Sequence, residues 1–141
     1  MKFLNEKHEK RLKEACEYID TEDKSAVAAC YLLTVKKRVW NQVQECIKYF
    51  GMDLDMLCFE PKDCMEQALF NAAYDLYNCS DAILLRDLTD PVTIPDRAYL
   101  LILYMVTYLR LEDNPVEVEV VDPEYKRLQI AKNTYSFGSP A

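Results

Sequence analysis

One histidine, six cysteines and a run of spaced carboxylates are the residues of this chain whose types can do chemistry. His8 is the sole candidate for a general base, and an activated nucleophile needs such a base beside it. It falls in "NEKHEK", a charged helix start, and reads as a surface or helix-end residue, whereas a base should be sheltered and close to the proton it takes. Asp53 and Asp55, then Glu60, Asp63 and Glu66, form an acidic loop over residues 53–66. An Asp-x-Asp pair can hold magnesium beside a phosphate, which makes a metal-dependent enzyme one alternative; a solvated loop is the plainer account. The cysteines are Cys16, Cys30, Cys46, Cys58, Cys64 and Cys79, and the closest pair is Cys58-x5-Cys64. Zinc sites want paired ligands at closer spacing, so free and mostly buried thiols in a reducing cytoplasm are expected. Cys64 opens a predicted helix, where the dipole favours a thiolate, but no partner motif accompanies it. With glycine only at 51 and 138, there is no glycine-rich phosphate loop and no nucleophile elbow. The expectation is no catalytic residue, no metal ligand set and no cofactor.

Composition narrows the class further. The chain has 141 residues, half of them hydrophobic, enough for one domain with a sizeable core. Two glycines suit helices with short connections, not hairpin-rich folds. The net charge of −7 sets the chain against phosphate backbones and argues against direct nucleic-acid binding. "KKRVW" (36–40) is the one basic cluster, a small footprint that reads as a solvated turn. The longest apolar run, "AYLLILYMV" (98–106), is far short of the about 20 residues of a membrane helix. The opening "MKFLNEKHEKRL" lacks the long apolar stretch of a secretory signal, so a cytoplasmic protein is expected.

The elements that must position these residues are helical. Asn5 is a plausible N-cap for a helix from residue 6 to about 20, with Leu12, Cys16 and Ile19 as its apolar stripe and Phe3 and Leu4 folding back onto the first turn. A second helix is expected from about 23 to 34, with Val27, Cys30, Tyr31 and Leu33 inward. A third ends near Phe50, where Val39, Trp40, Val43, Cys46, Ile47 and Phe50 recur at core spacing and Gly51 stands as a left-handed cap. Residues 52–63 connect, with one short helical turn. Asp63 and Glu66 resemble a capping box for a fourth helix over 64–79, with Leu69, Ala73, Leu76 and Tyr77 in the core. Ser80 can cap a short fifth helix, "DAILLRDL". Pro95 and Asp96 suit the first turn of a last helix over 96–111, which is apolar nearly all round and so is expected at the centre. Tyr74, Tyr77, Tyr99, Tyr104 and Tyr108 read as core tyrosines. The fold class is all-α: a compact bundle of five or six helices over 1–112, with a C-terminal appendage over 113–141.

Four stretches carry a resemblance: "FLNEKHEKR", "AVAACYLLT", "ALFNAAYDLYN" and "AYLLILYMVTYLRL". In that order they resemble an uncharacterised family of short helical bacterial proteins, a domain of unknown function associated with phages and integrative mobile elements. The likeness covers roughly residues 3–111. It implies a compact helical domain and a mobile-element setting, and no activity.

The appendage departs from the helical pattern. Glu112, Asp113, Glu117, Glu119, Asp122 and Glu124 are acidic, with no basic residue between 112 and 124. Val116, Val118 and Val120 fall on one side of a strand pattern, Glu117 and Glu119 on the other. A lone strand is not stable, so it should fold over the helices, pair with a copy or a partner's sheet edge, or stay disordered. Asp122-Pro123-Glu124, with Tyr125 next, has the grammar of a short helix start. These residues are the candidate partner-binding segment. The expected function is non-enzymatic: an acidic regulatory or inhibitory protein working by protein–protein contact. Its sharper form is a mobile-element inhibitor of a basic, nucleic-acid-binding host defence protein, in the manner of an anti-CRISPR. The rival is an assembly module that forms a homodimer through the tail.

Overall fold

The computed structural model describes residues 1–111, and beyond them only a two-residue antiparallel pairing, β1 (Val118–Glu119) against β2 (Gln129–Ile130), with Val118 opposite Ile130. Within the described residues the chain is five α-helices: α1 (Glu6–Cys16), α2 (Lys24–Leu33), α3 (Lys37–Tyr49), α4 (Cys64–Asn78) and α5 (Asp96–Arg110). Two single turns of 3₁₀ helix, Leu54–Met56 and Leu85–Thr89, interrupt the longer connections. The helical bundle expected from the sequence is the fold observed. Among the described residues no helix is long and apolar enough to cross a membrane.

Helix starts follow short polar side chains. Asn5, Asp23 and Asp63 each sit in extended backbone and accept the amide N–H three residues on, from His8, Ala26 and Glu66. Each bond satisfies a donor that the helix itself leaves unpaired, a contribution of about 1 kcal/mol. At the other end of α3, Gly51 has φ +60°, where a glycine avoids the Cβ clash that other residues meet. Met52 follows with φ +60° as well, and its N–H donates to the Cys46 carbonyl at 3.2 Å. This reversal corrects one expectation: Phe50 is swung out to solvent, and Met52 takes the core place instead.

The centre of the bundle is also not where the pattern put it. α2 is buried at eight consecutive residues, Ala26 to Leu33, and packs on α1, α3, α4 and α5. Its run of small side chains, Ala26, Ala28, Ala29 and Cys30, lets neighbours approach closely on every side. α5 buries Ala98, Leu101, Ile102, Tyr104 and Met105 but leaves Tyr99 and Val106 exposed, so it is a flanking helix with an apolar outer edge. α1 stops at Cys16, short of the expected end. Asp20 makes a turn there, its carboxylate accepting the Glu22 N–H and its carbonyl the Asp23 N–H, both at 3.0 Å.

Candidate functional site

The one histidine is not at the surface. Its ring is fully buried, against Phe3 (centroids 5.3 Å apart, edge-on) and Tyr31 (4.5 Å, edge-on). Nδ1 accepts the Leu4 N–H at 3.3 Å, so the proton sits on Nε2, which donates to the Tyr31 carbonyl at 2.9 Å. Both ring nitrogens are therefore matched in the neutral form. Burial pulls the His8 pKa down from 6.5 to about 4; the Tyr31 carbonyl opposes this and the Arg11 charge adds to it. The same cluster ties down the start of the chain: Tyr31 Oη donates to the Lys2 carbonyl at 2.9 Å, and the Lys2 N–H donates to Tyr104 Oη at 2.7 Å. Arg11 reaches across to the end of α2, giving Nε to the Thr34 carbonyl and Nη2 to the Val35 carbonyl at 2.8 and 2.9 Å. A histidine walled in this way holds the N-terminal segment on the bundle. Neither of the two clefts described below is lined by it.

Three carboxylates of the acidic loop, Asp55, Asp63 and Glu66, are likewise engaged within the fold. Glu66 is 1% exposed; its Oε1 accepts the Lys62 N–H at 2.8 Å and faces Arg38 Nε at 3.6 Å. The capping box thus forms with a shift, since Glu66 reaches back to Lys62 and not to the N-cap residue. Asp63 caps α4 and lies 3.8 Å from Lys36 Nζ. The Glu60 carbonyl accepts from Arg38 Nη2 and Gln42 Nε2, both at 3.1 Å, and the Glu60 N–H donates back to Gln42 Oε1. The basic stretch 36–38 is therefore the counterpart of the loop, and Trp40 beside it is buried in the core. Asp55 accepts from Tyr74 Oη at 2.7 Å, which raises that phenol's pKa, and the Asp53 carbonyl accepts the Cys46 thiol at 3.1 Å. Among the described residues no three His, Cys, Asp or Glu side chains gather as metal ligands do.

All six cysteines are free, as expected, but only Cys30 and Cys46 are buried; Cys58, Cys64 and Cys79 are exposed, which corrects the expectation of mostly buried thiols. Burial pushes the Cys30 thiol up to about 12 and raises Cys16 and Cys46, so these three are poor nucleophiles. Of the five tyrosines read as core, Tyr104 is buried, Tyr74, Tyr77 and Tyr108 are half-buried, and Tyr99 is exposed.

An open groove lies between α4 and α5. A groove of ≈ 270 Å³ is lined by Ala72, Asp75 and Leu76 of α4, Ser80, Ile83 and Leu88 of the following loop, and Ile102 and Val106 of α5. Asp75 builds its wall. The carboxylate accepts from Ser80 Oγ (2.6 Å), the Ala82 N–H (2.7 Å) and the Ile83 N–H (2.6 Å). Asp87 accepts the Leu84 N–H at 2.9 Å. With these amides claimed by side chains, the expected helix "DAILLRDL" does not form, and only the turn Leu85–Thr89 is helical. Ser80 donates to Asp75 and caps nothing. The stretch leaves large apolar side chains in water: Leu85 is 82% exposed, Val92 77% and Leu84 55%, with Val106 exposed on the α5 side. A second, smaller cleft of ≈ 170 Å³ has Tyr18, Asp20, Asp23, Met52 and Tyr77 among its lining residues, and both carboxylates there are engaged in turns or caps.

The tail candidates Glu112, Asp113, Val116, Glu117, Val118, Glu119, Val120, Asp122, Glu124 and Tyr125 lie outside the residues whose side chains are described. No family model, no curated protein and no solved structure matches the chain.

Proposed function

We propose that this protein works by binding another protein, with no catalysis of its own. The observation that carries the reading is the exposure of Leu84, Leu85 and Val92 in the connection between α4 and α5, and of Val106 on the α4–α5 groove. Large apolar side chains held in water by a well-bonded loop are the usual mark of a contact surface. The burial of the single histidine and the structural use of the Asp63 and Glu66 carboxylates support it from the other side. A narrower form adds the net charge of −7 and the mobile-element likeness: the partner is a basic, nucleic-acid-binding defence protein, and the carboxylates compete for its phosphate channel.

The test is capture from the native cell with the full chain and with a Leu84→Ser, Leu85→Ser double variant, washed at about 0.1 M and about 1 M salt. The expected outcome is one protein partner, weakened by the double variant. Release of that partner by high salt supports the narrower form, and retention at high salt contradicts it. Equal capture by both chains contradicts the apolar surface. Recovery of the protein's own copies alone would replace the reading with a self-assembling module.

A further inference from the structure

We propose that the cleft formed by the α1–α2 turn, the end of α3 and α4 takes a guanidinium group, presented as an arginine side chain of a protein partner. Two tyrosines, Tyr18 and Tyr77, and two carboxylates, Asp20 and Asp23, line a space of ≈ 170 Å³ together with Ala26 and Met52. Ala26 and Met52 are buried, while Tyr18, Asp20 and Asp23 are exposed, so the cleft is apolar at its base and acidic at its rim. Local bonds build it. The Asp23 N–H donates to the Asp20 carbonyl at 3.0 Å, which sets both carboxylates on one turn. The reversal at Gly51 and Met52 carries the Met52 side chain into the core, where its sulfur accepts the Cys30 thiol at 3.8 Å.

The unused acceptors point to the ligand. Asp20 Oδ1 accepts the Glu22 N–H at 3.0 Å and Asp23 Oδ1 the Ala26 N–H at 3.2 Å. The second oxygen of each carboxylate, and the hydroxyls of Tyr18 and Tyr77, make no hydrogen bond among the described residues. Acceptor oxygens beside two aromatic rings match a flat cation with several N–H donors, which bonds through its edge and stacks through its face. Tyr18 already has a cation beside it: Lys48 Nζ lies 5.6 Å from the ring centroid, its charge met by Glu14 at 2.6 Å. Glu17, Asp20, Glu22 and Asp23 outnumber Lys24 over residues 17–24, so the surrounding field draws a cation in. Size decides what carries it. Small-molecule sites begin at about 300 Å³, whereas this cleft holds one side chain and leaves its backbone outside. The assignment rests on the protein-binding function and adds what the partner offers here, an arginine.

The experiment is an NMR titration of the full chain with the blocked tripeptide acetyl-Gly-Arg-Gly-amide, read at the Ala26 and Met52 methyls and the Tyr18 and Tyr77 rings. The expected result is saturable shifts at these four residues, with a Kd on the order of millimolar for one side chain, and none at Val106. Citrulline in place of arginine, neutral and of the same shape, should weaken binding at least about fivefold. The Asp20→Asn, Asp23→Asn variant keeps an acceptor for both turn amides and so keeps the fold, and it should weaken the arginine peptide by about the same factor. Tyr18→Leu should weaken it about threefold. Free arginine brings a carboxylate toward Asp20 and Asp23 and should bind less well than the peptide; equal or tighter binding would give the cleft to a small molecule and overturn the partner assignment. No binding, shifts scattered over the surface, equal binding of the citrulline peptide or an unaltered double variant would overturn the site itself. No partner protein enters the titration, so its failure is distinct from a failure of the capture experiment.

Discussion

Around His8, groups that form hydrogen bonds face inward and are matched one to one; between α4 and α5, groups that avoid water, Leu84, Leu85, Val92 and Val106, stand exposed. The first region binds the start of the chain to α2 and α5 through Lys2, Tyr31 and Tyr104. The second keeps an irregular loop in place with two carboxylates, Asp75 and Asp87, and leaves leucine and valine at the surface. The difference teaches where to look for function in this molecule. His8, Asp63 and Glu66, whose types suggest chemistry, hold the fold together, while leucine and valine, whose types suggest a core, stand exposed.

Breaking the matched region should have the largest effect. His8→Ala removes a fully buried ring and both of its hydrogen bonds, and should cost roughly 3 kcal/mol or more, read from the urea midpoint. Acid should produce nearly as much in the unmodified chain. The unfolded chain takes a proton at His8 near pH 6.5 and the folded chain near 4, so the unfolded state binds more protons between those values. This contribution is complete above pH 6.5 and is lost as the pH falls toward 4, by up to about 3 kcal/mol. Melting temperature followed over that range should fall with pH in the native chain, with the His8 share of the fall absent in His8→Ala.

A smaller loss is expected at the acidic loop. Glu66→Ala leaves the Lys62 N–H and Arg38 without a buried acceptor and should cost about 2 kcal/mol by denaturant unfolding. Arg38 is half exposed, and water repays part of its loss, which keeps the effect below that of His8. At the far end of the scale, Leu85→Ser should change stability by less than about 0.5 kcal/mol, because the side chain is already in water. A cost above 1 kcal/mol there would show that Leu85 is covered in solution, and would erase the contrast between the two regions.

What the sequence made legible is mostly local. The Asn5 and Asp63 caps, the Gly51 turn and the start of α5 each depend on a side chain and a backbone group within a few residues, so spacing alone finds them. The misses depend on packing between distant segments. The spacing of His8, Leu12 and Ala15 is that of one helix face, and it carried the signal that His8 is inward, but the charged neighbours outweighed it. The apolar length of α5 suggested the centre, yet the small side chains of α2 decide which helix can be surrounded. The loop after α4 has helix-forming residues, and the carboxylate of Asp75, three residues before that helix ends, takes the amides that a helix would use. The candidate contact surface was not among the expected sites, since those lay on the acidic loop and the tail; "AILL" in a stretch that fails to become a helix is the signal that points to it.

The account rests on the claim that the histidine and the best-placed carboxylates, Asp63 and Glu66, are committed to the fold, and His8 is its sharpest case. The direct measurement is the nitrogen-15 spectrum of the imidazole in the full chain, followed from pH 8 down to the acid transition. The account predicts a neutral ring with its proton on Nε2, unchanged through pH 6.5 and titrating only near 4. A ring that titrates near 6.5, or carries its proton on Nδ1, would contradict it and would return His8 to the list of groups available for catalysis.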